Sequence, residues 1–286
     1  MAFGSLDAAK IPNHIMPSRP RLPLFLCLLF LLTGGLPVTP TAQAQSADDP
    51  LRFAFWLVED VRAVPGALSP PTWIPIGAAA AGVIGLSAAD ASLAADLQEW
   101  HRRELWRVVE EFGDANAMRP AAVIVFVGSL LQDNRRVQDA AFTGLESLVL
   151  SNVLTNLLKA VHGRSRPWQE RGTNNWKPFS GRTSFPSGHA TTAFALMTPW
   201  VVYFGHPVAW FGMGVATATS LSRVTLRYHW PSDVLAGALI GSGVSWWLSK
   251  RHQRASSDNF TSQELNQGVQ VSPFAHPFGA GVRVSF

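Results

Sequence analysis

Three short stretches of this chain place cations, hydroxyls and histidines where they suit chemistry on an oxyanion. The first is Lys159-Ala-Val-His162-Gly-Arg164-Ser-Arg166-Pro167. Gly163 and Pro167 predict a helix that closes near residue 163, with Lys159 on its last turn and Arg166 just beyond, both able to reach one anion. The second, Ser184-Phe-Pro186-Ser187-Gly188-His189, opens an apolar run. Pro186 and Ser187 suit a helix start, whose first N–H groups are unpaired and point outward at a phosphate. Gly188 allows backbone to approach the oxygens closely, and His189 is placed to protonate a departing oxygen. The third is Ser222-Arg223-Val-Thr-Leu-Arg227-Tyr-His229-Trp-Pro231-Ser-Asp233. Arg223 offers a planar fork for phosphate oxygens. Pro231 predicts a helix start with Asp233 in its first turn, four residues after His229, so that a carboxylate can hold one imidazole nitrogen and leave the other free to attack.

Each stretch alone reads equally as ordinary capping: a basic residue at a helix C-terminus, a Ser N-cap, an Asp in a first turn. Their joint occurrence, in this order and with every position filled, is a different matter. Lys-x6-Arg-Pro, Pro-Ser-Gly-His and Ser-Arg-x5-His-x3-Asp resemble the three-part signature of the type 2 phosphatidic acid phosphatase (PAP2) superfamily, which includes bacterial acid phosphatases and vanadium haloperoxidases. The resemblance covers roughly residues 120 to 249. It implies that Lys159, Arg166 and Arg223 hold the phosphoryl oxygens with Ser187 and Gly188. It also implies that His229 is the nucleophile oriented by Asp233, and that His189 protonates the leaving group, with no cofactor and no metal. His162, Arg164 and Arg227 fall at variable positions of the signature and read as supporting residues. Trp168 and Trp176 are candidates for the pocket mouth or for structure. Phosphoryl transfer needs mainly positioning and charge stabilisation, which three cations can supply. The sequence itself shows no Asp/Glu cluster suited to a metal.

The elements that must position these residues are helical. Uncharged stretches recur at 73–89, 120–131, 190–205, 207–222 and 234–249, and 137–161 is apolar at helical spacing but carries Asp139, Glu146, Asn152 and Asn156. They predict an all-α bundle of about six helices, PAP2-like and membrane-embedded, although 11 to 17 uncharged residues are short against the roughly 20 a span needs. Residues 22–36 form an apolar run after Arg19 and Arg21, followed by Ala42-Gln43-Ala44. That pattern predicts a signal peptide over 1–44, with a helical region at 45–119, the phosphatase core at 120–250 and a polar, flexible tail at 251–286. Val282 to Phe286 alternate like a strand, similar to the closing strand of outer-membrane barrels, but one strand closes no barrel.

Composition narrows the partners. The chain has 286 residues, 47% hydrophobic and 15% charged, with a net charge of +4 spread along its length. No basic block or DNA-reading motif appears, so nucleic acid is excluded as a partner. Cys27 is the single cysteine, which rules out a disulfide within the chain. The substrate expected is a lipid phosphate or isoprenoid diphosphate. A broad-specificity soluble periplasmic acid phosphatase and a vanadate-dependent haloperoxidase are the alternatives. Lys250, Arg251 and Arg254 after the last apolar stretch predict a cytoplasmic tail, putting the loops at 162–187 and 223–232 on the periplasmic side of a bacterial inner membrane.

Overall fold

The computed structural model describes residues 51–99, 103–112, 115–266, 270–276 and 279–285. The expected signal peptide, and Cys27 within it, lie outside the described residues. Among the described residues nine α-helices follow in order: α1 (Leu51–Ala67), α2 (Pro70–Ser87), α3 (Asp90–Gln98), α4 (Arg103–Phe112), α5 (Ala115–Ser129), α6 (Arg135–His162), α7 (Gly188–Phe204), α8 (Pro207–Thr225) and α9 (Pro231–Asn266). All six expected helices are present, as α2 and α5 to α9. Three more, α1, α3 and α4, fill the N-terminal region, where charge interrupts the apolar pattern.

Local chemistry sets the helix ends. Asn134 caps α6 by accepting from the Val137 N–H at 3.2 Å, and Gly163 closes it in the left-handed conformation with φ 59°. A Cβ on Gly163 would lie 1.8 Å from the Lys177 carbonyl oxygen, so both the backbone angle and the space require glycine there. Pro207 starts α8 after His206, and Gly205 ends α7 at φ 60°.

Helix α7 is the centre of the bundle, packed against α6, α8 and α9. Leu148 of α6, Ala193, Leu196 and Met197 of α7, Ala216 of α8 and Met118 and Ala122 of α5 form the main core. The α7–α9 crossing is close because Gly237 and Gly241, one turn apart on α9, face α7. A Cβ on either would meet the Ser187 or Thr191 carbonyl oxygen at 2.3 and 2.4 Å. This is the small-xxx-small device that lets two helix backbones approach. It fixes the depth at which Ser187 and the start of α7 sit.

At 28 residues, α6 is the one helix among those described that is long and apolar enough by itself to cross a membrane. Its rise is about 42 Å. It matches the apolar stretch expected at 137–161, and the polar residues in that stretch are buried inside the bundle: Gln138, Asp139, Thr143, Glu146, Ser147, Ser151 and Thr155 all face inward. The opposite face carries Val149, Val153, Leu157 and Val161, one per turn and all exposed. The α1–α2 pair passes the same length and composition test together, bent by 79°.

The boundary expected at residue 251 falls inside a helix. Helix α9 continues to Asn266, and four polar residues just after 250 are docked on other helices. Arg251 and His252 bind Asp60 at 2.6 Å each, Gln253 donates to the Val202 carbonyl and Ser256 donates to Asp139. The strand-like C-terminus forms an antiparallel hairpin, β1 (Gln270–His276) with β2 (Gly279–Ser285), in register from Gln270 opposite Ser285 to His276 opposite Gly279.

Candidate active site

The three motifs meet at the C-terminal ends of α6 and α8 and the N-terminal ends of α7 and α9. From the last turn of α6, the Lys159 ammonium donates to the Thr183 carbonyl at 2.6 Å. The Arg166 guanidinium donates to the Thr183 hydroxyl at 3.1 Å. Both cations are thereby aimed at the segment that leads into α7. The joining loop is held by backbone pairing: Ser165 N–H to Asn175, Lys177 N–H to Gly163 and Ser184 N–H to Arg164. Trp176 packs on Phe185 and His162, under the Arg164 guanidinium, a structural place. Trp168 is more than half exposed.

Ser187 stands at the N-cap of α7, yet its hydroxyl makes no capping bond. The residue is fully buried and Oγ has no hydrogen-bond partner. A buried hydroxyl without a partner is costly unless a ligand supplies one. The Arg223 Nε is in the same condition. A Cβ on Gly188 would meet only Lys159 Cε, at 3.8 Å, so the protein's own packing does not require glycine there.

His229 lies in the turn between α8 and α9, 2% exposed. Its backbone N–H donates to the Arg223 carbonyl at 3.0 Å. The ring Nδ1 lies 2.7 Å from the Ser184 carbonyl oxygen. A carbonyl only accepts, so Nδ1 carries the proton, and Nε2 keeps its lone pair. Asp233 is not the hydrogen-bond partner that the four-residue spacing suggested: its carboxylate is 3.8 Å from Nδ1. It accepts instead from the Ser184 hydroxyl at 2.5 Å, the Trp230 N–H at 2.9 Å and Arg164 at 2.6 Å. Its own backbone carbonyl accepts the Ser187 N–H at 2.9 Å. Asp233 thus fixes Ser184, whose carbonyl fixes the imidazole. Burial, together with the charges of Lys159 and Arg166 and against the pull of Asp233, pushes His229 down to about 4. Burial and the neighbouring Arg223 charge also hold the Arg166 guanidinium below its usual value. His189, in the first turn of α7, sits in the field of Arg223, His229, Lys159 and Arg166.

Two contributors are invisible in the motifs. Asp90, at the start of α3 and 0% exposed, accepts from Arg164 at 2.6 Å and from the Ser232 N–H and hydroxyl. Arg164 therefore bridges Asp90 and Asp233 with both partners fully buried. Glu110 of α4 pairs with Arg223, whose guanidinium also lies over the Tyr228 ring at 4.2 Å. Arg227 points elsewhere, to the exposed Glu170 at 3.4 Å, and the His162 ring is held by the Leu158 carbonyl.

The three motifs lie inside a stretch that matches a known family. The sequence matches the PAP2 superfamily over residues 140–257. A lipid A 1-phosphatase from Rhizobium etli is 33% identical over 166 residues, covering 50% of this chain and 68% of that protein. A second lipid A 1-phosphatase, from Rhizobium johnstonii, is 40% identical over 111 residues, 35% of this chain and 42% of the other. An undecaprenyl-diphosphatase from Sulfolobus acidocaldarius is 33% identical over 130 residues, 42% and 59% of the two chains. Among solved structures, Aquifex aeolicus LpxE overlays with a TM-score of 0.45 at 20% identity, covering 56% of this chain and 94% of that one. A transmembrane PAP2-type phosphatidylglycerolphosphate phosphatase from Bacillus subtilis gives 0.48 at 17% identity, over 71% and 97%.

Proposed function

Because the chain belongs to the PAP2 superfamily and is a phosphatase of that family, we propose that it hydrolyses a lipid phosphate or isoprenoid diphosphate through a phosphohistidine on His229. The observation that carries this reading is the Nδ1–H to Ser184 carbonyl bond, which presents Nε2 as an unprotonated nucleophile. Phosphate oxygens bound by Lys159, Arg166 and Arg223 find the unpaired Ser187 hydroxyl, the unpaired Arg223 Nε and the first N–H groups of α7 as further donors. Gly188 leaves those N–H groups open to the oxygens. Nε2 attacks phosphorus, the N–P bond forms as the P–O bond to the lipid breaks, and His189 gives its proton to the departing oxygen. Water then adds to phosphorus, its proton passes to His189, and the N–P bond breaks to release inorganic phosphate. Three cations balance the charge that gathers on the equatorial oxygens.

An amphiphilic substrate is favoured over a soluble one by the exposed Val149, Val153, Leu157 and Val161 stripe on α6, which runs towards the site and suits contact with lipid. Lys159 ends α6, whereas Arg135 and Arg136 begin it and Lys250 and Arg254 lie far along α9. Basic residues at the end remote from the site fit a cytoplasmic face there and a periplasm-facing active site. Relatives bearing the names lipid A 1-phosphatase and undecaprenyl-diphosphatase direct the substrate search to those two classes.

The test is phosphate release by purified protein from lipid A, undecaprenyl diphosphate, phosphatidate and p-nitrophenyl phosphate, with rapid quench for acid-labile phosphoenzyme. Lipid substrates should be preferred and a labelled histidine trapped in a single turnover. Equal activity on the soluble ester would favour the broad acid phosphatase. Turnover without any phosphohistidine would overturn the mechanism.

A further inference from the structure

A second polar cluster lies inside the bundle, outside the three motifs. Asp60 of α1, Glu146 of α6 and His252 of α9 bring two carboxylate oxygens and a ring nitrogen to within 4.8 Å of one another. The three residues are 2%, 7% and 1% exposed. Glu146 lies about 20 Å along α6 from Lys159 at the helical rise, so the cluster is remote from the phosphoryl pocket.

The surroundings fix the state of each donor. The Thr143 hydroxyl donates to the Asp139 carbonyl at 2.6 Å, so its oxygen accepts from His252 Nδ1–H at 2.7 Å. His252 Nε2 then faces Asp60 Oδ2 at 2.6 Å and Glu146 Oε2 at 3.6 Å. Arg251 occupies the other Asp60 oxygen, Oδ1, at 2.6 Å. A proton on Nε2 would satisfy Asp60 but not Glu146, whose buried Oε2 has no hydrogen-bond partner. Two aromatic rings line the His252 side: Trp56 stacks on the His252 ring at 4.1 Å, and Phe142 lies 5.9 Å from it. Two carboxylates brought together in such a place need a proton or a positive charge shared between them.

We propose that Asp60, Glu146 and His252 bind a divalent transition-metal ion, Zn²⁺ by the character of the donors. An imidazole nitrogen and two carboxylate oxygens make a set that Zn²⁺ accepts, with a fourth position left for water or a second carboxylate oxygen. Thr143 on Nδ1 and Arg251 on Asp60 Oδ1 are the outer hydrogen bonds that orient such ligands. The ion ties α1 to α6 and α9. Its role is to hold the bundle, and the phosphoryl chemistry does not pass through it.

The experiment uses the full chain purified in detergent, equilibrated with Zn²⁺ or Co²⁺ and desalted. Elemental analysis should find one Zn²⁺ per chain in the wild type and in His229→Ala, and a loss of at least about tenfold in affinity in Glu146→Gln. Co²⁺ should give the visible absorption of a four-coordinate site, and Zn²⁺ should raise the thermal midpoint of the wild type. The two wild-type measurements stand even if Glu146→Gln fails to fold. A wild-type protein with no bound Zn²⁺, a silent Co²⁺ spectrum and an unmoved midpoint would overturn the site and leave a proton shared between the carboxylates. Zn²⁺ lost in His229→Ala but kept in Glu146→Gln would place the ion in the phosphoryl pocket and equally overturn it.

Discussion

Two buried histidines at opposite ends of the bundle are built alike and surrounded by opposite charge. In each, Nδ1 donates to an oxygen of a neighbouring element: the Ser184 carbonyl for His229, the Thr143 hydroxyl for His252. In each, that bond leaves Nε2 as the nitrogen available to a second partner. His229 feels Lys159 and Arg166, so its surroundings call for an anion. His252 faces Asp60 and Glu146, so its surroundings call for a cation. The tautomer makes a histidine available, and the charges across the gap decide what it meets.

The largest effect that separates the two is loss of His229, the proposed nucleophile. His229→Ala should abolish the phosphoenzyme and lower turnover by at least about 10⁴-fold, in line with losses at other covalent nucleophiles. Phosphate should still bind through Lys159, Arg166 and Arg223, because those side chains are held by Thr183 and Glu110 independently of His229. Isothermal titration with phosphate, beside rapid quench, checks both halves. If phosphohistidine persists in His229→Ala and disappears in His189→Ala, the two roles are exchanged.

A smaller loss is expected at His189, the proposed general acid. His189→Ala should cost about 10² to 10⁴ with lipid substrates, the range for a general acid. With p-nitrophenyl phosphate, whose leaving group needs little protonation, the loss should shrink markedly. The ratio of the two rates is the measurement, and a loss independent of leaving group would mean that His189 positions substrate instead.

The consecutive motif residues were legible in the sequence because their spacing matches helix ends, and each landed at one. What held them was not. Asp233 orients His229 by way of the Ser184 hydroxyl and carbonyl, and a backbone carbonyl leaves no mark in a sequence. Asp90 and Glu110 meet Arg164 and Arg223 from helices more than seventy residues away in the chain, and alone they read as ordinary surface acids. Asp60, Glu146 and His252 are equally dispersed. Five of the bundle's apolar helices are readable from their lack of charge and α6 from apolar residues at helical spacing, while α1, α3 and α4 fall within the helical region expected at 45–119 without legible bounds, since charged residues break their apolar runs. The polar stretch after residue 250 looked solvated because its partners, Asp60, Asp139 and Val202, belong to other helices. Gly237 and Gly241 carried a readable small-xxx-small pattern, the one signal for the α7–α9 crossing.

The electrostatic contrast also sets a pH dependence. His229 is pushed down to about 4 from an unperturbed value near 6.5. Its neutral, attacking form is therefore populated through the neutral range and lost only as pH falls through about 4. The acid limb of kcat/KM should lie near that value, well below the usual imidazole range, unless another group titrates first. Between the two values the unfolded chain binds the proton and the folded chain does not, so stability contributed by His229 rises with pH across that window and is lost as pH falls from 6.5 towards 4. An acid limb near 6.5 that persists in Asp233→Asn would show that the ring is more hydrated than its 2% exposure implies.

The smallest effect concerns how the anion pocket is kept from collapsing without its ligand. Glu110 pairs with Arg223, and the pair is not sealed: the glutamate side chain is about a quarter exposed, the arginine only 5%. A phosphate oxygen and the Glu110 carboxylate therefore compete for the same guanidinium, with water able to receive the carboxylate when it is displaced. Partly exposed ion pairs are worth up to about 1 kcal/mol, equivalent to roughly fivefold in binding. Glu110→Gln should accordingly tighten phosphate inhibition and lower KM by no more than about fivefold, with kcat nearly unchanged, because the competition ends once substrate is bound. Higher salt should narrow the difference between wild type and variant, since screening weakens the pair being removed. A fall in kcat together with a rise in KM would mean that Glu110 orients Arg223 for the transition state, and the carboxylate would then belong to the productive site and not to its resting form.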